Sequence, residues 1–416
     1  MLVHHYRQHF MKKLRAPHRT KSPRIVQELY RLAVGLAASG SRIEDAFWEN
    51  RLAIKIRAQL RTGDDQNLEA ALDQLYETDT VAYGEFIYAI EAAIECGTIT
   101  RGDRGYDVLM FAIPLLTWSR FSIPSGPIPE TVLASLGTQL QSHVLVADAQ
   151  FVLADCLFSP DQLPRGYHLT HELAGKLWAA AAAGESVLHM NPRNLAETGR
   201  FLSDTRYVLG GIAVLQGKPM FRWQQADGTI ESRRAGNLGE ARSWKEELLA
   251  PWQSQSAEAM RPLLRGCAFE VLTPDGFFSA WRMADRLARP YSMHATVDFL
   301  QSTLNVSPGR LRAVIAPFYD QWLEEYRVSF TLKERDNVLY GLVWALVGDE
   351  DENTDMVAQI EATLRECGVI ETTLLEDRFL LEYCEDCGAP LFPNPGGEVV
   401  HAEFPEEGEV APVHLH

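Results

Sequence analysis

The feature that most constrains this chain is a pair of cysteines near its C-terminus, in the sequence Cys384-Glu385-Asp386-Cys387-Gly388. A Cys-x-x-Cys-Gly turn that follows a strand is the knuckle with which zinc ribbons direct two thiolates at one metal ion. The motif follows an apolar stretch and precedes a proline- and glycine-rich hairpin turn. It therefore predicts a short, metal-stapled hairpin, which bears on stability and shape and not on catalysis.

Structural zinc takes four ligands, of which Cys384 and Cys387 would supply two. Three histidines downstream are candidates for the other positions: His401, His414 and His416. Because His414 and His416 are two residues apart, they face the same side of an extended strand. We expect a zinc site formed by the two cysteines with His414 and His416, and His401 is the alternative to one of these ligands. The competing interpretation is a reduced cysteine pair in a tight turn.

Charge is distributed unevenly along the 416 residues, whose formal net charge is −17. Residues 349–416 contain 18 acidic and two basic residues, whereas residues 1–31 contain eight basic residues and one acidic residue. The intervening residues carry −8, which argues against general nucleic-acid binding by the folded body. The basic arm is able to contact RNA or an acidic partner, although a solvated, disordered terminus is the better explanation. Met11 is a second candidate start of the protein.

The other four cysteines stand singly within apolar segments, at positions 96, 156, 267 and 367. This spacing is typical of reduced, buried thiols and not of a disulfide framework. The most apolar run, residues 108–118, has 11 residues and includes a proline, whereas a membrane span needs about 20. Since the N-terminus also lacks a signal-peptide pattern, we expect a cytoplasmic protein that does not cross a membrane.

Hydrophobic spacing divides the chain into helical and mixed segments. Apolar residues recur at helical intervals over residues 22–100, and strand-like and helix-like runs alternate after that. The later mixed segment approximates the ferredoxin-like order β-α-β-β-α-β, with its first strand at 267–272. We therefore predict an α+β fold with largely antiparallel sheets. Its five parts are a disordered basic arm (1–21), a helical unit (22–100), a first α+β module (101–235), a second α+β module (236–383) and a zinc-knuckle hairpin with an acidic tail (384–416).

No complete catalytic signature is present in the sequence, which has neither a Gly-x-Ser-x-Gly elbow nor a Gly-x-Gly-x-x-Gly nucleotide loop. Four polar residues are candidate liners of an anion-binding cleft between the two modules: Arg120, Ser125, His143 and Arg282. Ser125 and the next glycine precede a proline-framed helix start, where backbone amides would face an anion. A rigid corner between a strand and a helix explains the same residues without a ligand.

Carboxylates cluster at two places, one formed by Asp148, Asp155 and Asp161 and the other by the run 349–352. Sites made only of carboxylates suit Mg²⁺ or Ca²⁺. Consecutive acids in a turn are usually solvated, and the run 349–352 also precedes a predicted helix, whose N-terminus favours negative charge. These clusters therefore favour a structural interpretation over a metal site.

Several phrases of the sequence together resemble a known family: SRFSIPSG (119–126), SPDQLP (159–164), RPYS (289–292), APFYD (316–320), GDEDE (348–352) and the ending from Cys384 to His401. The family they resemble is domain of unknown function family 2863, from beta-proteobacteria. The resemblance covers nearly the whole chain and implies a bacterial cytoplasmic protein. It brings no activity and no catalytic residues, so the chemistry rests on the residues themselves.

The sequence has no complete set of catalytic residues. Together with the ferredoxin-like order and the knuckle, this favours a non-catalytic interaction or regulatory protein with a protein partner. One alternative is a hydrolase or transferase that acts on an anionic small molecule, which predicts stabilisation by phosphorylated metabolites. Another is an RNA-associated protein that uses the basic arm. That alternative predicts salt-sensitive binding that is lost when residues 1–24 are deleted.

Overall fold

A computed structural model describes residues 23–403 except 120, 121, 192–194, 197–202, 226–237, 321, 349 and 387. The described residues form helices together with parallel and antiparallel strands, as the α+β prediction requires. The chain divides into two compact units, one formed by Lys12–Trp281 and one that contains Arg282–His416. The predicted boundaries at residues 100 and 235 fall within the first of these units. No described helix is long and apolar enough to cross a bilayer.

Four helices open the first unit: α1 (Arg24–Ala37), α2 (Arg42–Leu60), α3 (Gln66–Thr78) and α4 (Thr80–Glu95). Local sequence explains where two of them begin. The Ser41 side chain accepts a hydrogen bond from the Glu44 amide at the start of α2, and the Asp79 side chain accepts one from the Ala82 amide at the start of α4. Such caps satisfy backbone donors that a helix leaves unpaired at its N-terminus.

Helix α2 is apolar on two faces. Leu52, Ile56 and Leu60 are buried, and their spacing of four residues places them on one face. The other face carries three large apolar side chains that are exposed, namely Ile43 (87%), Phe47 (48%) and Ile54 (64%). The second face therefore has no cover within the part of the chain that the structure describes.

The first sheet follows these helices. Its elements are β1 (Cys96–Arg101), β2 (Arg104–Trp118), β3 (Gly126–Pro127), α5 (Glu130–His143), β4 (Gln150–Phe158), α6 (Tyr167–Ala183), β5 (Val187–Leu188), β6 (Ser203–Leu215), α7 (Leu238–Met260), β7 (Ala268–Val271) and β8 (Asp275–Gly276). The strand order is β1-β2-β6-β4-β3, and β5 pairs parallel with β4. Strand β2 is 15 residues long and pairs along 13 of them with β6.

Strand β7 corrects the ferredoxin-like prediction. We expected the strand near 267–272 to open the second module, but β7 pairs antiparallel with the end of β2 in the first sheet. The indole of Trp252, fully buried on α7, fixes this position by donating to the carbonyl of Leu272 at 3.0 Å. A strand of four residues fits either sheet, so its partner strand depends on long-range contacts.

The second unit contains a second sheet. Its elements are α8 (Phe277–Leu304), within which the two units divide, β9 (Leu311–Tyr319), β10 (Leu323–Leu332), β11 (Tyr340–Ala345), α9 (Met356–Glu366), β12 (Glu371–Leu374), β13 (Phe379–Leu380), β14 (Phe392–Pro393) and β15 (Val399–Val400). The strand order is β11-β10-β9-β12, in which β9, β10 and β11 are antiparallel. Both β12 and β13 run parallel to β9. Apolar residues of α8 and α9, among them Met293, Val297 and Ile360, pack against this sheet.

One residue of the acidic run 349–352, Glu350, is held by its surroundings. Glu350 is almost buried and forms a two-point ion pair with buried Arg289 of α8, at 2.7 and 3.0 Å. Arg289 also donates to the carbonyl of Ala345 and lies 5.1 Å from the centre of the Trp344 ring. Two-point arginine–carboxylate pairs fix geometry as well as charge. Glu350 therefore fastens the loop after β11 to α8, in line with the structural interpretation of this run.

Candidate functional site

The cysteine motif lies in a tight reversal of the chain. The amide of Gly388 donates to the carbonyl of Cys384 at 2.9 Å, and the amide of Cys384 donates to the carbonyl of Ala389 at 2.8 Å. Gly388 has φ of +71°, in the left-handed region that glycine adopts without strain. Tyr383 and Pro390 pair across the base of the turn. The described atoms thus form a closed turn between Cys384 and Gly388.

A buried arginine attaches this turn to the second sheet. Arg327, on β10, is 0% exposed and donates to the carbonyls of Glu382 and Leu391 at 2.7 and 2.6 Å. It also forms an ion pair with buried Glu325 at 2.7 Å. One guanidinium therefore holds the two chain segments that enter and leave the cysteine turn. We call residues 382–400 the C-terminal hairpin.

The guanidinium of Arg327 also lies near two aromatic rings. Its carbon is 4.1 Å from the centre of the Phe318 ring and 5.2 Å from that of Tyr383. Arginine packs well on aromatic faces because the ring quadrupole attracts the cation and the planar group is weakly hydrated. These contacts help to hold a buried charge that would otherwise be costly.

The C-terminal hairpin also packs tightly on the sheet farther along the chain. A Cβ atom added to Gly341 on β11 would come within 2.4 Å of the Phe392 ring, so that ring lies directly on the glycine backbone. The hydroxyl of buried Ser329 donates to the carbonyl of Pro393. Two elements of the sheet, β10 and β11, therefore fix the start of β14.

The hairpin turn is stabilised by its own polar groups. Strands β14 and β15 pair antiparallel, and the side-chain oxygen of Asn394 accepts hydrogen bonds from the amides of Gly396 and Glu398 at 2.9 and 3.0 Å. An asparagine that bonds the backbone two residues on is a common device in turns. The turn that the sequence predicts at 393–397 is present.

Of the five predicted metal ligands, the structure describes Cys384 and His401. Cys384 is half-buried in the knuckle, and His401 is exposed just after β15. Cys387, His414 and His416 lie outside the described residues. Among the residues that are described, no group of three or more histidine, cysteine or acidic side chains could hold a metal ion. The zinc site therefore stays a prediction.

An exposed strand edge leads into the first residues of the knuckle. We call residues 371–386, which include β12 and β13, the acidic edge. They contain six acidic residues and one basic residue, Arg378. Three large apolar side chains on this edge are exposed: Leu374 (44%), Leu380 (66%) and Tyr383 (39%). The edge therefore combines negative charge with apolar surface, a combination that the sequence reasoning did not single out.

Two of the four predicted cleft residues, Ser125 and His143, have described hydrogen-bond partners. Arg120 lies outside the described residues. Ser125 accepts a hydrogen bond from Gln162 at 3.5 Å, and His143 pairs with Gln255 at 3.1 Å. Both belong to the first unit, whereas Arg282 belongs to the second. The contacts of Ser125 and His143 are with different partners, so the structure gives no shared site for this pair.

The loop that contains Ser125 is held by another buried arginine. Arg206, on β6, is 1% exposed and donates to the carbonyls of Ile123 and Pro124 at 3.1 and 2.8 Å. It also forms an ion pair with Asp204. These contacts support the interpretation of residues 123–129 as a rigid corner.

A surface depression in the first unit has a histidine at its rim. Its volume is about 570 Å³, and its lining includes Glu130, Asp155, Glu185 and His189. Asp155 accepts from Nδ1 of His189 at 2.8 Å and from the amide of Met190 at 2.7 Å. His189 is mostly exposed, and the other three lining residues named here are carboxylates. The depression therefore favours a cation over an anion.

Three of the described thiols are held in their protonated form. Cys156 is buried and Cys367 is partly buried, whereas Cys96, which the sequence predicted to be buried, is exposed. Desolvation by the surrounding protein raises the pKa of Cys96 and of Cys156 to about 12. Burial, with the nearby charges of Asp298 and Glu366, raises the pKa of Cys367 to about 11, although its sulfur lies 3.2 Å from Nδ1 of His294. Because the thiolate is the nucleophile, these three cysteines are poor candidates for covalent catalysis.

Comparisons with known proteins bear on the family. The family profile described as protein of unknown function (DUF2863) matches residues 14–415. A search of the curated proteins and a search of the solved structures each found no match. The family match covers nearly the whole chain and includes every phrase on which the resemblance rests. The chain therefore belongs to the DUF2863 family.

Proposed function

We propose that this chain is a non-catalytic protein of the bacterial cytoplasm that binds a protein partner through its second unit. The observation that carries the proposal is the pairing of apolar and acidic side chains along the acidic edge. Leu374, Leu380 and Tyr383 remain exposed there although apolar core positions of the same sheet are buried. Exposed apolar residues that cluster and are rimmed by charge are typical of interaction surfaces.

A structural metal would complete the C-terminal hairpin. We propose that Cys384 and Cys387 bind one zinc ion, with ligands from His401, His414 and His416. The support is the closed turn at residues 384–388 and its fastening by Arg327. The ion would fix the knuckle beside Tyr383 and would thereby stabilise the shape of the proposed binding surface.

The exposed face of α2 supports the same class of function. Ile43, Phe47 and Ile54 present apolar surface on a helix whose opposite face is buried. The guanidinium of Arg51 lies 4.6 Å from the centre of the Phe47 ring and covers only part of it. A helix that is apolar on both faces is costly to leave in water, so this face is a second candidate contact.

The alternative function is a hydrolase or transferase that acts on an anionic small molecule. The described depression near His189 gives it little support, because Glu130, Asp155 and Glu185 would repel an anion. RNA binding through the basic arm is a further alternative. It concerns residues outside the described range and is tested by deleting residues 1–24 and following the salt dependence of binding.

The experiment that tests the proposal is site-specific photocrosslinking in the native host. A photoreactive amino acid is placed at Leu380, at Ile43 or, as an exposed control, at Asp103. We expect a discrete heavier species from Leu380, identified by mass spectrometry, and none from Asp103. In parallel, melting temperatures are measured with a panel of phosphorylated metabolites. No discrete crosslink at Leu380 or Ile43, together with a metabolite-dependent rise in melting temperature, would overturn the proposal in favour of the small-molecule alternative.

A further inference from the structure

We infer that the acidic edge accepts an extended, cationic peptide segment of its partner as an added β-strand. The inference rests on the proposed binding function and specifies the chemistry of the partner. In strand addition, main-chain hydrogen bonds give affinity and alternate side chains give specificity. The case depends on an open strand edge and on a charge that selects the incoming segment.

The open edge is visible in the pairing of β12. Strand β12 stands at the end of the order β11-β10-β9-β12, and in the part of the chain that the structure describes no strand pairs with its outer side. The amide of Leu375 donates to the carbonyl of Ile315 on β9. Because successive residues of a strand alternate in direction, Thr372 and Leu374 direct their N–H and C=O groups away from β9.

The same direction continues through β13. The amide of Leu381 donates to the carbonyl of Tyr319, so Leu380 directs its backbone groups outward by the same alternation. The outward positions on both strands therefore carry exposed leucines, Leu374 and Leu380. An incoming strand would find backbone partners and apolar contacts at the same residues.

Charge specifies the incoming segment. Five carboxylates of the edge have no ion-pair partner among the described residues: Glu376, Asp377, Glu382, Glu385 and Asp386. The one cation of the edge is Arg378. Its guanidinium carbon lies 4.0 Å from the centre of the Tyr319 ring, and one of its nitrogens lies 3.6 Å from a carboxylate oxygen of Glu352. A segment that alternates lysine or arginine with apolar residues complements both properties of the edge.

Charged residues on edge strands also serve to prevent unwanted strand pairing. That role predicts that the edge rejects every added strand, whereas a binding site accepts a strand of opposite charge. The two roles therefore differ in one measurable respect, which is the binding of a cationic extended peptide.

The test uses the full chain and two fluorescent peptides. The first is the heptapeptide Lys-Val-Arg-Thr-Lys-Val-Arg, and the second has glutamate in place of each lysine and arginine. Binding is measured by fluorescence anisotropy at low and high salt. We expect saturable binding of the cationic peptide that weakens with salt, and none of the acidic peptide.

Two pairs of variants separate strand addition from simple attraction. Thr372→Pro removes an outward N–H, and Thr372→Ala keeps it while also removing the threonine side chain. We expect Thr372→Pro to bind about tenfold more weakly than Thr372→Ala, as the loss of main-chain bonding predicts.

Glu376→Lys with Asp377→Lys should abolish binding. Asp103→Lys with Asp148→Lys makes the same charge change at exposed positions of the first unit and should leave binding near wild type.

Two results would overturn the inference. One is no saturable binding of the cationic peptide at low salt by folded wild-type protein, as judged by circular dichroism. The other is equal binding by Thr372→Pro and Thr372→Ala, which would mean electrostatic attraction without strand pairing. A crosslinked partner at Leu380 combined with either result would leave the proposed function intact and remove only strand addition.

Discussion

The guanidinium of Arg327 lies 4.1 Å from the centre of the Phe318 ring, deep in the second unit. From there it donates to carbonyls on both sides of the cysteine turn. This one side chain thus joins two sequence phrases typical of the family, 316–320 and the cysteine-containing ending. The C-terminal hairpin is therefore part of the second unit and not an appended tail.

Arg327→Met should destabilise the second unit by about 3–5 kcal/mol. The substitution removes the ion pair between Arg327 and the buried carboxylate of Glu325, and it removes the hydrogen bonds from Arg327 to the carbonyls of Glu382 and Leu391. The measurement is urea unfolding, with limited proteolysis to locate the first cleavage. We expect early cleavage within the C-terminal hairpin.

The matched control is Arg310→Met, which removes an exposed arginine paired with exposed Glu334. Exposed pairs contribute little, so its unfolding curve should lie close to that of wild type. Equal effects of the two substitutions would contradict the anchoring role of Arg327.

Gly341→Ala should weaken the attachment of the hairpin by about 1–3 kcal/mol, because the added methyl group meets the Phe392 ring at 2.4 Å. Gly309→Ala is the control, since an added Cβ there meets nothing within 4 Å. Thermal unfolding of Gly341→Ala, of Phe392→Ala and of the double variant, with Gly309→Ala as the control, measures the coupling between the glycine and the ring. Strictly additive effects of the two substitutions would show that the ring does not lie on this glycine.

The second face of α2 should tolerate polar side chains. Ile43→Glu and Ile54→Glu replace exposed residues and should each change the free energy of unfolding by less than about 0.5 kcal/mol. Leu52→Ala, on the buried face of the same helix, should cost about 2–5 kcal/mol. Chemical denaturation measures the free energy of unfolding of all three variants. Similar losses of stability from substitutions on the two faces would contradict the exposure of Ile43 and Ile54.

Alkylation of Cys367 should be slow at neutral pH and should accelerate up to about pH 11. Its pKa is raised to about 11, so only about one molecule in a thousand is thiolate at pH 8. Because the thiolate is the reacting form, the rate rises with pH until the pKa is passed. Iodoacetamide labelling with peptide mapping gives the profile. A plateau near pH 8 would contradict the raised pKa, and Cys156, with a pKa of about 12, is the internal reference.

Local signals in the sequence predicted the features that depend on neighbours along the chain. The helices of residues 22–100, the alternation of strands and helices after them and the hairpin turn at 393–397 follow from hydrophobic spacing, capping residues, and proline and glycine positions. The cysteine turn was predicted for the same reason, since Gly388 provides the left-handed residue that the reversal uses.

Features that depend on distant contacts were not predictable in this way. Arg206 and Arg327 lie on strands β6 and β10, and each donates to a carbonyl far along the chain, at Pro124 (82 residues away) and at Glu382 (55 residues away). The placement of β7 likewise depends on its pairing with β2, which a four-residue run does not encode. A charged residue within an apolar strand was the available signal, because such a residue needs a buried partner.

The measurement that tests the account most directly is the zinc content of untagged full-length protein, by elemental mass spectrometry. The matched variants are Cys384→Ser, in the knuckle, and Cys367→Ser, outside it. The account predicts about one zinc per chain in wild type and in Cys367→Ser, and loss of the metal with a lower melting temperature in Cys384→Ser. The account would be contradicted by the absence of zinc from wild type, or by the same zinc content in Cys384→Ser, because the C-terminal hairpin would then not be held by a zinc ion bound at Cys384.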